Sequence, residues 1–561
     1  MKKKIAVLVN GWNNYSVIKA VEGIKRRVKN QNIDIFIFVS YAAYSQSKER
    51  NYGEDSIFDL PDYSTFDGVI VFFIMLNSFE TPERIGKLLV KNNVKAVSIG
   101  MDLPDIDYVG IENSKGMYEL VEHLVKEHHI KNPVFLAGPK QNVDSNQRLE
   151  ATRKALKDNG IELSEANIKY TDWEYELAMA SARDYASSSN KPDAYICAND
   201  NIAIAACIGL QSMGVDVPKD AIVTGFDRIS FAETFYPSIT TVFQDYEKIG
   251  YTAADHLLKL IDGTADTHRI EVSSEYLKNE SCGCKKSEDG EIIRHQFCQN
   301  AYSREMENIL FQQHTTNIAK VLFDSSNFDN FKQGLTSYLM TKHSFEGDNF
   351  KFILTDNTLK ALKHSSFPLK KTYSKKMHCI VSIDDGKFLE HEAFSRTELI
   401  PGYSTDDKQH LFTFCSLHFD DNLFGYLVLG DVTKQIMNTS LNHYLMQMNS
   451  NLEKYRQNAR LDEMNRTLRN ISIKDPLTGL YNRFGMEQIG VPMYEKAHKE
   501  GKSCVIMFAD MNRMKYINDE FGHLQGDLAI RTVATSILKT VPSEWISIRY
   551  GGDEFYYIWC V

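Results

Sequence analysis

The first half of the chain alternates two kinds of apolar pattern, and this alternation limits the folds open to it. Short β-branched runs recur at Ile5 to Val9, Ile35 to Val39, Gly68 to Phe73, Ala96 to Ile99, Pro133 to Ala137, Tyr195 to Ala198 and Ile222 to Phe226. Between them lie stretches with helical spacing, the first carrying Val17, Ile18, Val21, Ile24 and Val28 on one stripe. Strands that alternate with helices predict parallel βαβ sheets. A length of 561 residues leaves room for three or four domains. The net charge of -10 argues against a nucleic-acid backbone as the main partner, because such proteins present basic surfaces. No run of 18 apolar residues occurs, so no membrane span is expected. The basic start Met1-Lys2-Lys3-Lys4 resembles a signal peptide, but the apolar run behind it is too short and reads better as a first strand. The nine cysteines are sparse, scattered and odd in number, which fits reduced thiols in a cytoplasmic protein. Their one cluster, Cys282-Gly283-Cys284 with His295 and Cys298 nearby, matches no known zinc spacing and reads as plain thiols in a connector.

A series of segments then follows in a fixed order. Asp107-Tyr108-Val109-Gly110-Ile111-Glu112-Asn113 precedes a helix over Gly116 to Glu127. Pro133 to Pro139 comes next, then Gln147-Arg148-Leu149-Glu150-Ala151 and Pro192 to Asn201. Gly225-Phe226-Asp227, Pro237 to Val242 and Glu280-Ser281-Cys282-Gly283 close the series. Together these segments resemble the two-lobed type I periplasmic-binding fold as used in the lactose/galactose repressor family, over residues 1–284. Repressors of that family carry a helix-turn-helix ahead of the first strand. Here the strand starts within five residues, so the expectation is a ligand sensor without a DNA-reading part. The resemblance implies that Arg148, Asn199 and Asp227 contact a small polar ligand between the lobes. Interlobe hydrogen bonding is their alternative role.

Residues 285–435 carry a helix-like stretch, Asn300 to Phe323, and strand-like runs at Phe350 to Leu354, Cys379 to Ile383, His410 to Phe419 and Leu423 to Leu429. Asp420-Asp421-Asn422 reads as the turn between the last two runs. The pattern Phe424 to Gly430 resembles a GAF domain, with a PAS-like domain as rival and a structural spacer as the plain alternative. In residues 436–474, Leu445, Met448, Leu452, Tyr455 and Ala459 step as a heptad seam. The seam resumes out of phase at Leu461, Met464, Leu468 and Ile471. A two-stranded coiled coil is expected there, the alternative being one amphipathic helix packed on its own domain.

Residues 475–561 carry the chemistry. Asp475-Pro476-Leu477-Thr478-Gly479-Leu480-Tyr481-Asn482-Arg483 follows the helix. Val505 to Ala509 reads as a buried strand ending in Asp510, and Lys515, Asn518, His523 and Asp527 come after it. Arg549-Tyr550-Gly551-Gly552-Asp553-Glu554-Phe555 lies between two strand-like runs. Gly551-Gly552 fits a tight hairpin needing positive φ, with Asp553 and Glu554 at an exposed tip. Carboxylates from a strand end and a neighbouring hairpin make a hard oxygen site suited to Mg²⁺ with phosphate. The three linked motifs closely resemble the GGDEF domain of diguanylate cyclases. The resemblance implies condensation of two GTP to cyclic di-GMP and pyrophosphate, one GTP per subunit of a homodimer. It implies Mg²⁺ (or Mn²⁺) on Asp510, the Met511 carbonyl and Asp553. It also makes Asp553, Glu554 and Lys515 catalytic, and places Asn518, His523, Asp527, Arg549, Gly551 and Gly552 around the nucleotide. A GGDEF module that binds GTP or cyclic di-GMP without turnover is the alternative.

Three departures qualify that resemblance. Asn512 stands where many members have a second Asp. The family domain continues beyond Val561, so this sequence reads as a fragment of a partial GGDEF domain. The Arg-x-x-Asp feedback site of many cyclases falls here on Pro542 and Trp545, which offer neither a guanidinium nor a side-chain acceptor, so product inhibition through that site is not expected. The resulting expectation is a multidomain α/β protein: a sensor (1–284), a GAF- or PAS-like α+β domain (285–435), a coiled-coil helix (436–474) and a GGDEF domain (475–561).

Overall fold

The computed structural model describes residues 2–11, 15–43, 46–73, 80–285, 290–323, 325, 328–340, 349–363, 367–403, 408–431, 439–542 and 544–560. The chain forms two compact units, one built from Met1–Lys363 and Pro368–Glu453, the other containing Lys454–Val561. The first lobe of the larger unit is a parallel sheet of β1 (Lys3–Asn10), β2 (Ile33–Ser40), β3 (Gly68–Phe72), β4 (Ala96–Ile99) and β5 (Asp107–Glu112), in the order β5-β4-β3-β1-β2. Ile5, Val7 and Leu8 of β1 are buried to within 1 % of full exclusion, as expected of a strand covered by helices on both faces.

The chain crosses to a second lobe through the helix Asn113–His128. There β6 (Pro133–Ala137), β7 (Ile168–Tyr170), β8 (Ala194–Cys197) and β9 (Ile222–Thr224) form a parallel sheet in the order β7-β6-β8-β9. Three short strands complete the sensor: β10 (Thr241–Phe243), β11 (Arg269–Ser273), which returns to pair with β5, and β12 (Glu275–Leu277), antiparallel to β10.

The middle segment opens with the helix Gly290–Phe323 and continues as β13 (Phe350–Thr355), β14 (Lys376–Asp384), β15 (Lys387–Phe388), β16 (Phe394–Ser395), β17 (Leu411–Phe419) and β18 (Asn422–Gly430). This is an antiparallel α+β layer, with β17 and β18 joined by the turn at Asp420 and Asp421. The layer is continuous with the sensor. β17 pairs parallel with β2, Leu411 opposite Ile35 through Cys415 opposite Val39, and one twelve-stranded sheet runs from β11 to β15. Phe414 stacks on Phe38 at a centroid distance of 4.7 Å, so first lobe and middle layer share one apolar core.

The helix Thr439–Ile473 divides along its length. Leu445, Met448 and Leu452 are buried in the larger unit, and Asn449 Oδ1 accepts from the His418 N–H of β17 at 3.0 Å. Leu461, Met464, Leu468 and Ile471 are exposed. The first half of the expected coiled coil is therefore packed on its own domain. No described helix is long and apolar enough to cross a membrane.

The smaller unit holds β19 (Cys504–Asp510), β20 (Ile546–Gly551) and β21 (Glu554–Cys560) in the order β19-β21-β20, with the helices Met514–Phe521 and His523–Thr540. The run Val505 to Phe508, expected to be buried, is exposed, because among the described residues too little packs over the faces of β19 to cover it. Cys504 and Cys560 face one another across that pair and are joined by a disulfide, in contrast to the reduced thiols expected from their scatter.

Candidate functional site

The motif that opens the smaller unit folds into a buckle. The Thr478 N–H and hydroxyl donate to Asp475 Oδ1 at 2.9 and 2.6 Å, and Gly479 takes φ +74° to close the turn. Asn482 donates to the carbonyls of Ser472 and Lys474 and accepts from the Gly485 N–H, which fixes the end of the long helix. The Tyr481 N–H donates to Ser547 O at 3.0 Å and its carbonyl accepts from the Arg549 N–H at 2.7 Å, sewing the buckle to β20.

Arg549 completes the connection. Its Nη1 donates to both carboxylate oxygens of Asp475 at 3.1 Å, while Nε and Nη2 donate to Gly552 O at 2.9 and 2.7 Å. Burial raises the Asp475 carboxyl, but the Thr478 and Arg549 hydrogen bonds outweigh it and hold the group below its ordinary value. Arg549, expected to line the nucleotide pocket, thus spends its fork on fixing the turn.

That turn is Gly552–Asp553, between Gly551 and its partner Glu554. Gly552 takes φ +50°, whereas Gly551 is not in the left-handed region, so one glycine rather than two meets the conformational demand. Asp553 and Glu554 are half-buried rather than standing at an exposed tip. Asp510 pairs with Glu554 at the end of β19, and the Met511 N–H donates to Asp553 O at 3.2 Å. The strand end and the turn therefore meet, bringing Asp510, Met511 and Asp553 to one place. No lysine or arginine pairs with either carboxylate among the described residues, which leaves hard oxygen donors of the kind that Mg²⁺ takes.

Lys515 is exposed on the helix Met514–Phe521. Asn518 lies against the next helix, where a Cβ at Gly526 would meet its Oδ1 at 1.9 Å. His523 and Asp527 are exposed one turn apart on that second helix, hence on one face. The structure brings Asn518 close to the helix that carries these two residues.

In the larger unit a cleft is lined by Tyr108, Asn113, Asp144, Arg148, Gln244 and Tyr246, among others. Arg148 is buried; its Nε donates to Asn113 Oδ1 at 3.0 Å, its Nη1 donates to Ala198 O at 2.8 Å, and Nη1 lies 3.7 Å from Asp227 Oδ1. Burial pushes the Asp227 carboxyl up to about 6, with Arg148 opposing and Asp144 assisting the rise. Asn199 serves elsewhere: its side chain caps the helix Asp200–Ser212, accepting from the Ile202 N–H at 2.9 Å. Gln244, which the sequence did not single out, is 1 % exposed, and among the described residues neither its Nε2 nor its Oε1 has a partner.

Residues 121–282 match the family described as periplasmic binding protein-like domain, and residues 472–559 match the diguanylate cyclase, GGDEF domain. The transcriptional repressor PurR of Vibrio atlanticus is 31% identical over 271 residues, which span 48% of this chain and 77% of that protein. The chain belongs to the lactose/galactose repressor family.

Two further relatives match over less of their own length. The regulator CelR of Thermobifida fusca is 30% identical over 213 residues, 37% of this chain and 62% of that protein. PurR of Vibrio vulnificus is 30% identical over 161 residues, 28% of this chain and 48% of its own length. The chain thus spans about half to three-fifths of these two curated relatives. Among solved structures, a complex of CelR with cellobiose is 23% identical, covers 50% of this chain and 86% of its own, and has a TM-score of 0.43. A lac repressor dimer bound to operator is 21% identical over 50% of this chain and 94% of its own, with a TM-score of 0.42. This member of the repressor family therefore joins a periplasmic-binding-like sensor to a GGDEF domain.

Proposed function

We propose that the protein is a ligand-regulated, dimeric diguanylate cyclase of the cytoplasm that condenses two GTP molecules into cyclic di-GMP. The observation that carries this reading is the meeting of Asp510 with the Gly552–Asp553 turn, tied by Met511 N–H to Asp553 O and fixed by the Arg549–Asp475 pair. The 3′-oxygen of each GTP attacks the α-phosphorus of the other, the bond to the β-phosphate oxygen breaks each time, and two pyrophosphates leave as the two phosphodiester bonds close the ring. Asp553 orients and helps deprotonate the attacking hydroxyl, with Glu554 beside it supporting its position. Lys515 offers its ammonium to phosphate oxygens, and Asn518, His523 and Asp527 read the guanine edge. The carboxylates of Asp510 and Asp553 and the Met511 carbonyl would hold Mg²⁺ or Mn²⁺, which supplies charge neutralisation at phosphate.

In the sensor, the unpartnered Gln244 amide supports a small polar ligand bearing both a donor and an acceptor, held with Arg148 and Asp227. Asn199, engaged as a helix cap, is assigned a positioning role. The test is cyclic di-GMP formation from GTP by the full-length protein. Asp553→Ala is expected to lower it by about 10²-fold or more while the fold persists. Undiminished synthesis in that variant would refute the site assignment, and GTP binding without turnover in the wild type would mean a binding module.

A further inference from the structure

Four potential metal ligands from two distant segments meet at the base of the second lobe. His123 and His128 lie on the last turns of the helix Asn113–His128, and Cys282 and Cys284 lie where the chain leaves the sensor. The two His Nε2 atoms are 3.2 Å apart, Cys284 Sγ is 3.5 Å from His123 Nε2 and 3.4 Å from His128 Nε2, and Cys282 Sγ is 3.9 Å from His123 Nε2. All four atoms lie within 4.8 Å of one another, and among the described residues this is the one such group of His, Cys, Asp or Glu. We propose that His123 Nε2, His128 Nε2, Cys282 Sγ and Cys284 Sγ form a structural site for one tetrahedral zinc ion.

The distances fit that geometry. Bonds of about 2.0–2.1 Å to nitrogen and 2.3 Å to sulfur place tetrahedral ligands about 3.3 Å (N to N) and 3.6 Å (N to S) apart. Hydrogen bonding does not account for the arrangement. A neutral imidazole nitrogen carries either one lone pair or one proton, yet His123 Nε2 faces another imidazole nitrogen and two sulfurs at once. A central cation satisfies all four groups together. Helical spacing does not produce the convergence either, since residues five apart lie about 140° apart around a helix axis. The rings meet because His128 is the last residue of the helix, just before His129 turns left-handed at φ 54°. On the other side, Gly283 takes φ +94°, which lets the chain reverse between the two cysteines.

Two thiolates and two imidazoles select a soft, tetrahedral ion, and four protein ligands close the site, which marks it as structural rather than catalytic. Its position gives it a task. Cys284 precedes the helix Gly290–Phe323, whose Arg294 already anchors to Glu280 at 2.8 Å and to the Phe235 carbonyl at 2.9 Å. The ion would clamp the chain to the second lobe at the start of the segment that leads away from the sensor. The pairing of histidines upstream with a Cys-x-Cys some 150 residues later is a spacing that no local pattern reveals.

The full-length protein, stripped with chelator and titrated with Co²⁺, is expected to show thiolate-to-cobalt charge-transfer absorption and tetrahedral d–d bands that saturate at about one ion per chain and vanish on adding Zn²⁺. Mg²⁺-type carboxylate sites give no thiolate band, so the GGDEF domain cannot mimic the signal. The Cys282→Ser/Cys284→Ser double variant should lose the band with its circular dichroism unchanged. His128→Gln, at a half-exposed position, should weaken Zn²⁺ binding by about 10-fold or more in a chelator competition. Wild type that takes up no stoichiometric cobalt, a band that survives the double serine variant, or a Cys282–Cys284 disulfide found by peptide mapping would each overturn the proposal.

Discussion

Asp227 lies 3.7 Å from Arg148 Nη1, with its carboxyl pushed up by burial to about 6 from an ordinary 3.8. Between those values the folded chain holds a proton that the unfolded chain has released, so this group costs stability progressively as pH rises and fully above about 6. Asp227→Asn is therefore expected to raise the melting temperature at pH 7.5 and leave it unchanged at pH 3.5, where the wild-type group is protonated when folded; equal melting curves at both pH values would contradict the assignment. A group that accepts such a cost is one placed for binding. Trp545 tells the opposite story. It stacks on Trp559 at 5.0 Å and its N–H bonds Pro542 O at 3.1 Å, so the positions where many cyclases place a product-inhibition site here close a helix and pack a sheet. Cyclic di-GMP titrated into the full-length protein at fixed GTP should give no non-competitive inhibition; strong inhibition at low product concentration would show another inhibitory site. Arg148, which lines the cleft, and its neighbour Asp227 drew notice because they sit in recognisable segments. Gln244 was not, because a lone glutamine between strand and helix carries no pattern, and only its buried, unpartnered amide reveals it.

At the scale of elements, strands were legible and their partners were not. β17 and β18 follow from two apolar runs around Asp420 and Asp421, but the parallel pairing of β17 with β2 joins residues nearly 380 positions apart and leaves no local mark. Val505 to Phe508 misled for a related reason: an apolar run states that a strand can be buried, not that anything covers it. The joint between first lobe and middle layer depends on one close approach. A Cβ on Gly53 would stand 2.0 Å from the Asp420 carbonyl and 2.1 Å from His418 Nδ1. Gly53→Ala should therefore destabilise the larger unit by about 1–3 kcal/mol in chemical denaturation; an unchanged midpoint would show that the joint yields freely. Next to it, Glu54 meets His418 at 3.2 Å. Burial raises the Glu54 carboxyl, but His418 and Arg50 outweigh it and hold the group below its ordinary 4.5, so its stabilisation is present above that value and is lost as pH falls through the lowered one.

For the molecule as a whole, the helix Thr439–Ile473 sets the assembly question. Its second half leaves Leu461, Met464, Leu468 and Ile471 more than half exposed in a 3, 4, 3 spacing, the spacing that a two-stranded coiled-coil seam requires. Leu468→Glu should shift the full-length protein from dimer to monomer in sedimentation and reduce cyclic di-GMP synthesis with it; a dimer that persists would place the interface elsewhere. The continuous sheet carries a further lesson for anyone recombining this protein. A cut at residue 285, where the resemblance to the repressor family ends the sensor, would strip β17 from β2 and leave an open apolar edge on each fragment, a template for aggregation. A graft of residues 1–453, the span of the larger compact unit, should keep that sheet whole, whereas chimaeras that carry only 1–284 onto a new output should be poorly soluble.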